Sequence, residues 1–353
     1  MSSFTRRRVV AGVGAVGLAP ALMTRVVSAA PPPEPVTQAL IEAAKKEGRV
    51  HYYTAQEIKF AEALAKRFEA TYPGINVKVE RSGAERIFAR IAQEYSSRIH
   101  NVDVVNTSDL AHTLPWKRNG WLAAYVPAEA AQHFPPDQID PEGMWVNHRS
   151  HLCVIAYNTQ KVAPADAPKS FMDLLDPKFT GKMVKAHPGY SGTILTATFQ
   201  MVRDIGWHYF EGLAKQKVLQ VQSAADPPKK IALGERAVMA DGTDYQVLLD
   251  KEAGAPVEIV YPVEGTPSCS NPNAVFRAAP NPHAARLLLS WLMSAAGQQD
   301  VVDLTGQFAA HGQIKPKAGR PLLKDIRTMK EDAAALEQQA DEIKTRYAQL
   351  FKV

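Results

Sequence analysis

Between residues 36 and 105 the chain alternates amphipathic helices with short apolar strands. This alternation restricts the fold more than any other feature. Residues 36–47 have helical period, with Ala39, Leu40, Ala43 and Ala44 on one face and Gly48 closing the segment. Residues 49–53 read as a short apolar strand. Residues 57–72 place Phe60, Leu64, Phe68 and Tyr72 at helical spacing, and Pro73-Gly74 stops them. Residues 75–80 alternate as a strand, 84–95 are helical again, and Asp103-Val104-Val105 reads as a buried strand. A β-α-β-α-β run of this kind predicts a mostly parallel sheet covered by helices.

The first 30 residues read as an export signal. Thr5-Arg6-Arg7-Arg8-Val9-Val10 is a basic opening, and residues 9–22 are apolar or small apart from Pro20. That run is too short for a membrane span and suits a signal. Val27-Ser28-Ala29-Ala30 offers small residues for a signal peptidase. The adjacent arginines before a Gly- and Ala-rich segment resemble a twin-arginine signal, with an ordinary Sec signal as the alternative. The mature chain then starts near Ala30 or Pro31, and residues 31–35 form a stiff Pro-rich spacer. Removing Arg6, Arg7, Arg8 and Arg25 takes the formal charge from +5 to +1. The basic balance therefore belongs to the signal, and no electrostatic case for nucleic acid remains.

About 320 residues remain, more than one core usually organises, so two domains are expected. Residues 152–157 read as one strand, 170–175 as a short capped helix, and 182–185 as a strand before the loop 188–192. A helix starts at Thr193, and residues 237–240 form a strand ending in Asp241-Gly242-Thr243-Asp244-Tyr245. Residues 274–276 read as a strand, 283–296 as a helix, and 329–351 as a charged helical tail. The stretch 126–144 is aperiodic and reads as turns and short helical pieces. Cys153 and Cys269 are an even pair that an oxidising compartment can bridge, with two free buried thiols as the other reading.

In open α/β sheets, ligands sit beyond the carboxyl ends of strands, at loops that lead into helix starts. Free N–H groups and the positive dipole end suit oxygen-rich ligands there. Five such loops supply the candidate ligand-binding residues: Tyr53, Thr54 and Gln56; Ser82; Ser108 and Asp109; Tyr190, Ser191, Gly192 and Thr193; and Asp241, Asp244 and Tyr245. Ser, Thr, Asp and Asn before helices are also ordinary N-caps, whatever the function. The chain lacks a Walker loop, a G-x-G-x-x-G, a G-x-S-x-G and an H-E-x-x-H motif. An enzyme on this chain has only His187 or the Asp241/Asp244 pair as acid–base groups. His148 and His151 read as exposed or capping residues.

Three further stretches carry a family resemblance. They are Val50-His51-Tyr52-Tyr53-Thr54-Ala55; Tyr157-Asn158-Thr159 with residues 170–182; and Pro262-Val263-Glu264-Gly265-Thr266 with residues 279–285, 291–294 and Gly297-Gln298. Over nearly all the mature length the chain resembles the type 2 periplasmic solute-binding proteins of ABC importers, and more narrowly the ferric-iron-binding group and its organic-solute-binding relatives. The resemblance implies a monomer with two α/β lobes and a cleft between them, each lobe a mixed, mostly parallel sheet with helices on both faces. Lobe one takes 36–151 and returns at 267–313, and lobe two takes 152–266. Hinge crossings fall near 153–157 and 263–267, and a helical segment follows at 314–353. Neighbouring crossings would bring Cys153 near Cys269. The implied function is capture of a small ligand by lobe closure and delivery to permease subunits. A sensing receptor would use the same closure.

Ferric members pair two adjacent tyrosines with a histidine and an acid. Here the tyrosine pair reads Asp244-Tyr245 and the histidine position holds Gln56. A set of Asp109, Asp244 and Tyr245 is what remains to hold Fe(III) as cargo. The departures equally fit binders of organic solutes such as phosphorylated sugars, phosphonates, thiamine or polyamines.

Overall fold

The computed structural model describes residues 29–353. The expected export signal lies outside them except for its last two residues. The strands are β1 (Arg49–Thr54), β2 (Asn76–Arg81), β3 (Val104–Asn106), β4 (Val146–Leu152), β5 (Ile155–Asn158), β6 (Met183–Ala186), β7 (Leu219–Val221), β8 (Val238–Met239), β9 (Val257–Val260), β10 (Thr266–Val275), β11 (Phe308–Ala309) and β12 (Thr328–Met329). They form two sheets, one per lobe. The first has the order β11-β4-β10-β3-β1-β2 with β12 beside β10, and the second the order β7-β6-β8-β5-β9. Both are mixed. Pairing is parallel over β2-β1-β3 and β7-β6-β8, where helices link the strands. It is antiparallel where β10 meets β3 and β4, where β11 meets β4, and where β5 meets β8 and β9.

The expected alternation from 36 to 105 builds the first lobe. The helix Ile58–Thr71 buries Phe60, Leu64 and Phe68, and Phe68 meets Trp291 edge-on at 5.8 Å between ring centres. Each such side chain contributes about 2 kcal/mol by leaving water. The helix Pro282–Met293 buries nearly its whole length in the same core. Gly48 ends the helix Gln38–Glu47 at φ 70°, a conformation in which glycine avoids the Cβ clash.

Two expectations need correction. The run 152–157 is not one strand. The chain leaves the first sheet after Leu152 and enters the second at Ile155. Cys153 N donates to Pro267 O and Val154 N to Gly242 O, so the crossing keeps its backbone hydrogen bonds. A continuous apolar run carries no mark of a change of sheet. The chain returns to the first sheet between Val260 and Thr266.

The second correction concerns β4, which the sequence did not announce. Its residues Asn147, His148, Arg149 and His151 are polar yet buried. The strand lies between β10 and β11, so neither edge is free. His148 and His151 are thus interior groups, not exposed or capping ones.

The helix Ala333–Phe351 packs on both lobes. Leu336 and Ile343 join Ala111 of the first lobe and Leu195 and Phe199 of the second in one cluster. Arg118 reaches Glu337 at 2.6 Å from the first lobe, and Arg346 reaches Glu211 at 3.0 Å on the second. Among the described residues no helix is long and apolar enough to cross a membrane.

Candidate ligand-binding cleft

A cavity of about 330 Å³ lies between the lobes, where strand ends and helix starts converge. The first lobe supplies Gln56 after β1, Arg81 at the end of β2, Ser108 after β3, and Arg149 and His151 from β4. The second lobe supplies Tyr190, Ser191 and Thr193 after β6, Gln222 and Ser223 after β7, and Thr243 and Tyr245 after β8. The lobes touch around it. Gly192 packs directly on Ala84 and Asp109, and a Cβ there would stand 2.9 and 2.8 Å from theirs. Phe60 and Tyr245 meet edge-on at 6.2 Å.

Arg149 dominates the electrostatics of the floor. It is 1% exposed. Its Nη2 donates to Asn106 Oδ1 at 3.1 Å and its Nη1 contacts His148 Nδ1, both neutral partners. Its Nε has no hydrogen-bond partner. Burial disfavours the charged form and lowers the Arg149 pKa, but a guanidinium stays protonated in proteins. A buried charge without a counter-charge costs several kcal/mol, on the order of what an anion seated on it restores.

The neighbours leave that charge uncompensated. Asn271 Nδ2 donates to His151 Nδ1 at 3.0 Å, which puts the His151 proton on Nε2, facing Thr193 Oγ1 at 3.3 Å. Burial, then the nearby Arg149, pushes the His151 pKa down to about 3, so this ring is neutral. Ser191 Oγ caps the helix Gly192–Asp204 by accepting from Ile194 N at 3.4 Å. The positive end of that helix opens on the cavity beside Ser191 and Thr193. Gln56, 5% exposed, has neither amide atom hydrogen-bonded, and Thr243 Oγ1 and Gln307 Oε1 are likewise without partners. The floor can therefore hold an anionic group, and the walls can hold hydroxyl or amide groups.

Among the candidates read from the sequence, Gln56, Ser108, Tyr190, Ser191, Thr193 and Tyr245 line the cavity. The others serve the scaffold. Tyr53 donates to Glu94 at 3.0 Å beneath the Arg90 guanidinium. Thr54 donates to Asn106 at 3.2 Å, and Ser82 N donates to Thr54 O at 3.2 Å. Gly192 forms the lobe contact. Asp109 caps its own turn by accepting from Ala111 N at 2.8 Å. Asp241 pairs with Lys185 in the second-lobe interior. Asp244 accepts from Leu152 N at 3.0 Å.

Of the ferric set Asp109, Asp244 and Tyr245, only Tyr245 thus faces the cavity. Burial, then Glu57, pushes its phenol up to about 12, which opposes the phenolate that Fe(III) wants. The acid–base candidates are equally engaged: His187 Nδ1 accepts from Gly189 N at 2.8 Å, outside the cavity wall. The sequence reading missed Arg149, His151 and Asn271. The signal for Arg149 and His151 was the polar run Asn147-His148-Arg149-Ser150-His151 between apolar residues; Asn271, on β10, had none.

Cys153 and Cys269, left open between a bridge and two thiols, are two free buried thiols. The crossings do bring them together, at 4.0 Å between sulfurs. Both sulfurs instead point at the Thr193 carbonyl, at 3.9 and 3.5 Å.

Two α/β lobes enclosing a polar cavity are the architecture of two-lobed solute-binding proteins. The chain belongs to the bacterial extracellular solute-binding protein family, whose model matches residues 63–311. That family is one of transport-associated binding proteins, not of enzymes. An uncharacterized protein of Haemophilus influenzae is 30% identical over 149 residues, 40% of this chain and 43% of that one. A probable ABC transporter periplasmic-binding protein of Sinorhizobium fredii, y4fP, is 22% identical over 75% of this chain and 74% of its own. The fold is shared with the periplasmic binding protein AfuA of Actinobacillus pleuropneumoniae, solved with fructose-6-phosphate bound (TM-score 0.79, 23% identity, 87% of this chain and 99% of that one). It is also shared with iron-bound HitA of Pseudomonas aeruginosa (TM-score 0.73, 22% identity, 85% and 99%). At these identities the likeness shows the fold alone.

Proposed function

We propose that the chain is an exported periplasmic protein that captures a small anionic organic solute and delivers it to the permease of an ABC importer. The observation that carries this reading is Arg149, buried at the cavity floor with only neutral partners. A phosphate or carboxylate seated there completes the guanidinium fork and faces a helix start. The unpartnered Gln56, Thr243 and Gln307 then suit hydroxyl groups on the rest of the solute. A bare ferric ion is disfavoured beside the same guanidinium. The S. fredii relative's name is that of an ABC transporter binding protein, and AfuA was solved with a sugar phosphate, which supports both halves of this reading. In this reading the crossings at Leu152–Ile155 and Val260–Thr266 act as the hinge, and residues 36–151 with 267–313 move against 152–266. Contacts from both lobes bias the closed state.

The test is a titration of the purified protein with sugar phosphates, organic acids and ferric citrate, repeated on Arg149→Gln. An organic anion should bind, and Arg149→Gln should weaken it at least about thirtyfold, the worth of a charge-assisted pair. Iron binding with a tyrosinate absorption band, unchanged in Arg149→Gln, would overturn the reading.

A further inference from the structure

The cavity mouth carries two guanidinium groups that recognition at Arg149 leaves unused. Arg81 ends β2, and Arg86 lies in the first turn of the helix Ala84–Ser96; both line the cavity. Among the described residues, neither reaches a carboxylate. Arg81 Nη2 donates to Ser223 Oγ at 3.2 Å, and Arg86 Nη2 donates to Gln222 Oε1 at 2.6 Å. Both partners are neutral and belong to the opposite lobe. The Arg86 guanidinium also lies 5.3 Å from the centre of the Tyr190 ring, which holds its plane at the opening.

The charge balance of the wall is uneven. Lys229 is neutralised by Glu57 at 3.1 Å. Asp226 is the remaining lining acid, and its carboxylate accepts from Ser223 N at 3.2 Å. Arg81, Arg86 and Arg149 therefore outnumber the acid they face. One anionic group on the floor leaves the mouth positive.

We infer that Arg81 and Arg86 form a second anion subsite, so that the preferred solute carries an acidic group at each end. The inference rests on the reading of Arg149 as the first anion site. Ser223 and Gln222 hold the two forks in place as exchangeable neutral partners. An acidic group entering between them binds first-lobe arginines while touching second-lobe side chains. It therefore rewards closure, as a ligand confined to one lobe cannot.

The experiment compares fructose 6-phosphate with fructose 1,6-bisphosphate by calorimetry on the wild type, Arg149→Gln, and the double variant Arg81→Gln, Arg86→Gln. Both mouth residues are exposed, so their replacement leaves no interior hole. The wild type should bind the bisphosphate at least about tenfold more tightly than the monophosphate, and the double variant should lose that preference. Equal wild-type affinities would overturn the second subsite and leave the first intact if Arg149→Gln weakens both esters. An equal loss for both esters in the double variant would make the arginines a ligand-independent latch between the lobes. Failure of the wild type to bind either ester would overturn both the subsite and the phosphate reading of the floor.

Discussion

Lys344, in the last helix of the chain, donates to the carboxylate of Glu85, 259 positions earlier and buried at the junction of the lobes. The other Glu85 oxygen faces His112 Nε2 at 3.0 Å. Burial alone would raise the Glu85 pKa, but His112 and then Lys344 hold it down at about 2. Lys344→Met should cost about 2 kcal/mol of stability, since it leaves a buried acid short of a partner. Adding Glu85→Gln should restore part of the loss. The Glu85 pKa lies below its ordinary 4.5, so its contribution is present above that value and fades as pH falls toward 2. Urea unfolding of the two variants from pH 7 to pH 3 measures both effects; additive losses would refute the coupling.

In the proposed closure the lobes meet at two glycines. A Cβ on Gly83 would collide with the Tyr190 carbonyl oxygen, and one on Gly192 would press on Asp109 and Ala84. Each contact crosses from one lobe to the other. Gly83→Ala and Gly192→Ala should leave each lobe folded and hold the cleft ajar. Ligand affinity should fall at least about tenfold, and small-angle scattering should show a larger radius with ligand present. Full affinity in both variants would show that the lobes meet elsewhere.

Asp244 gives a pH test with a defined sign. Burial holds its pKa at about 6, against an ordinary 3.8, although Leu152 N donates to it. Between those values the folded chain keeps a proton that the unfolded chain has released, so rising pH penalises the folded state. Asparagine has no charge to bury and still accepts the Leu152 N–H. Relative to wild type, Asp244→Asn should gain about 3 kcal/mol of stability between pH 4 and pH 7. A difference that stays flat with pH would contradict this.

The two thiols should be inert until the chain unfolds. Their mutual contact, then burial, raises the Cys269 pKa well above its ordinary value. A thiol reagent should therefore modify Cys153 and Cys269 only in denaturant, and two thiols per chain should then react. Fast labelling of the native protein would place them on an accessible surface.

The sequence by itself determined the helices and strands of residues 36–105. Phe60, Leu64 and Phe68 recur at helical spacing, Pro73-Gly74 ends their helix, and local periodicity and chain breakers act within a few residues. It also pointed to the loops where strands end, and Gln56, Ser108, Tyr190, Ser191, Thr193 and Tyr245 do line the cavity. Only the tertiary structure decided which loop residues face inward. Asp109, Asp241 and Asp244 are taken by His112, Lys185 and the Leu152 amide, partners that are far away in sequence or unreadable as partners there. Likewise, the change of sheet at Cys153-Val154 hides inside an unbroken apolar run. Arg149 became the centre of the site because β10, β11 and the second lobe bury β4, and burial turns an ordinary arginine into a charge that needs an anion.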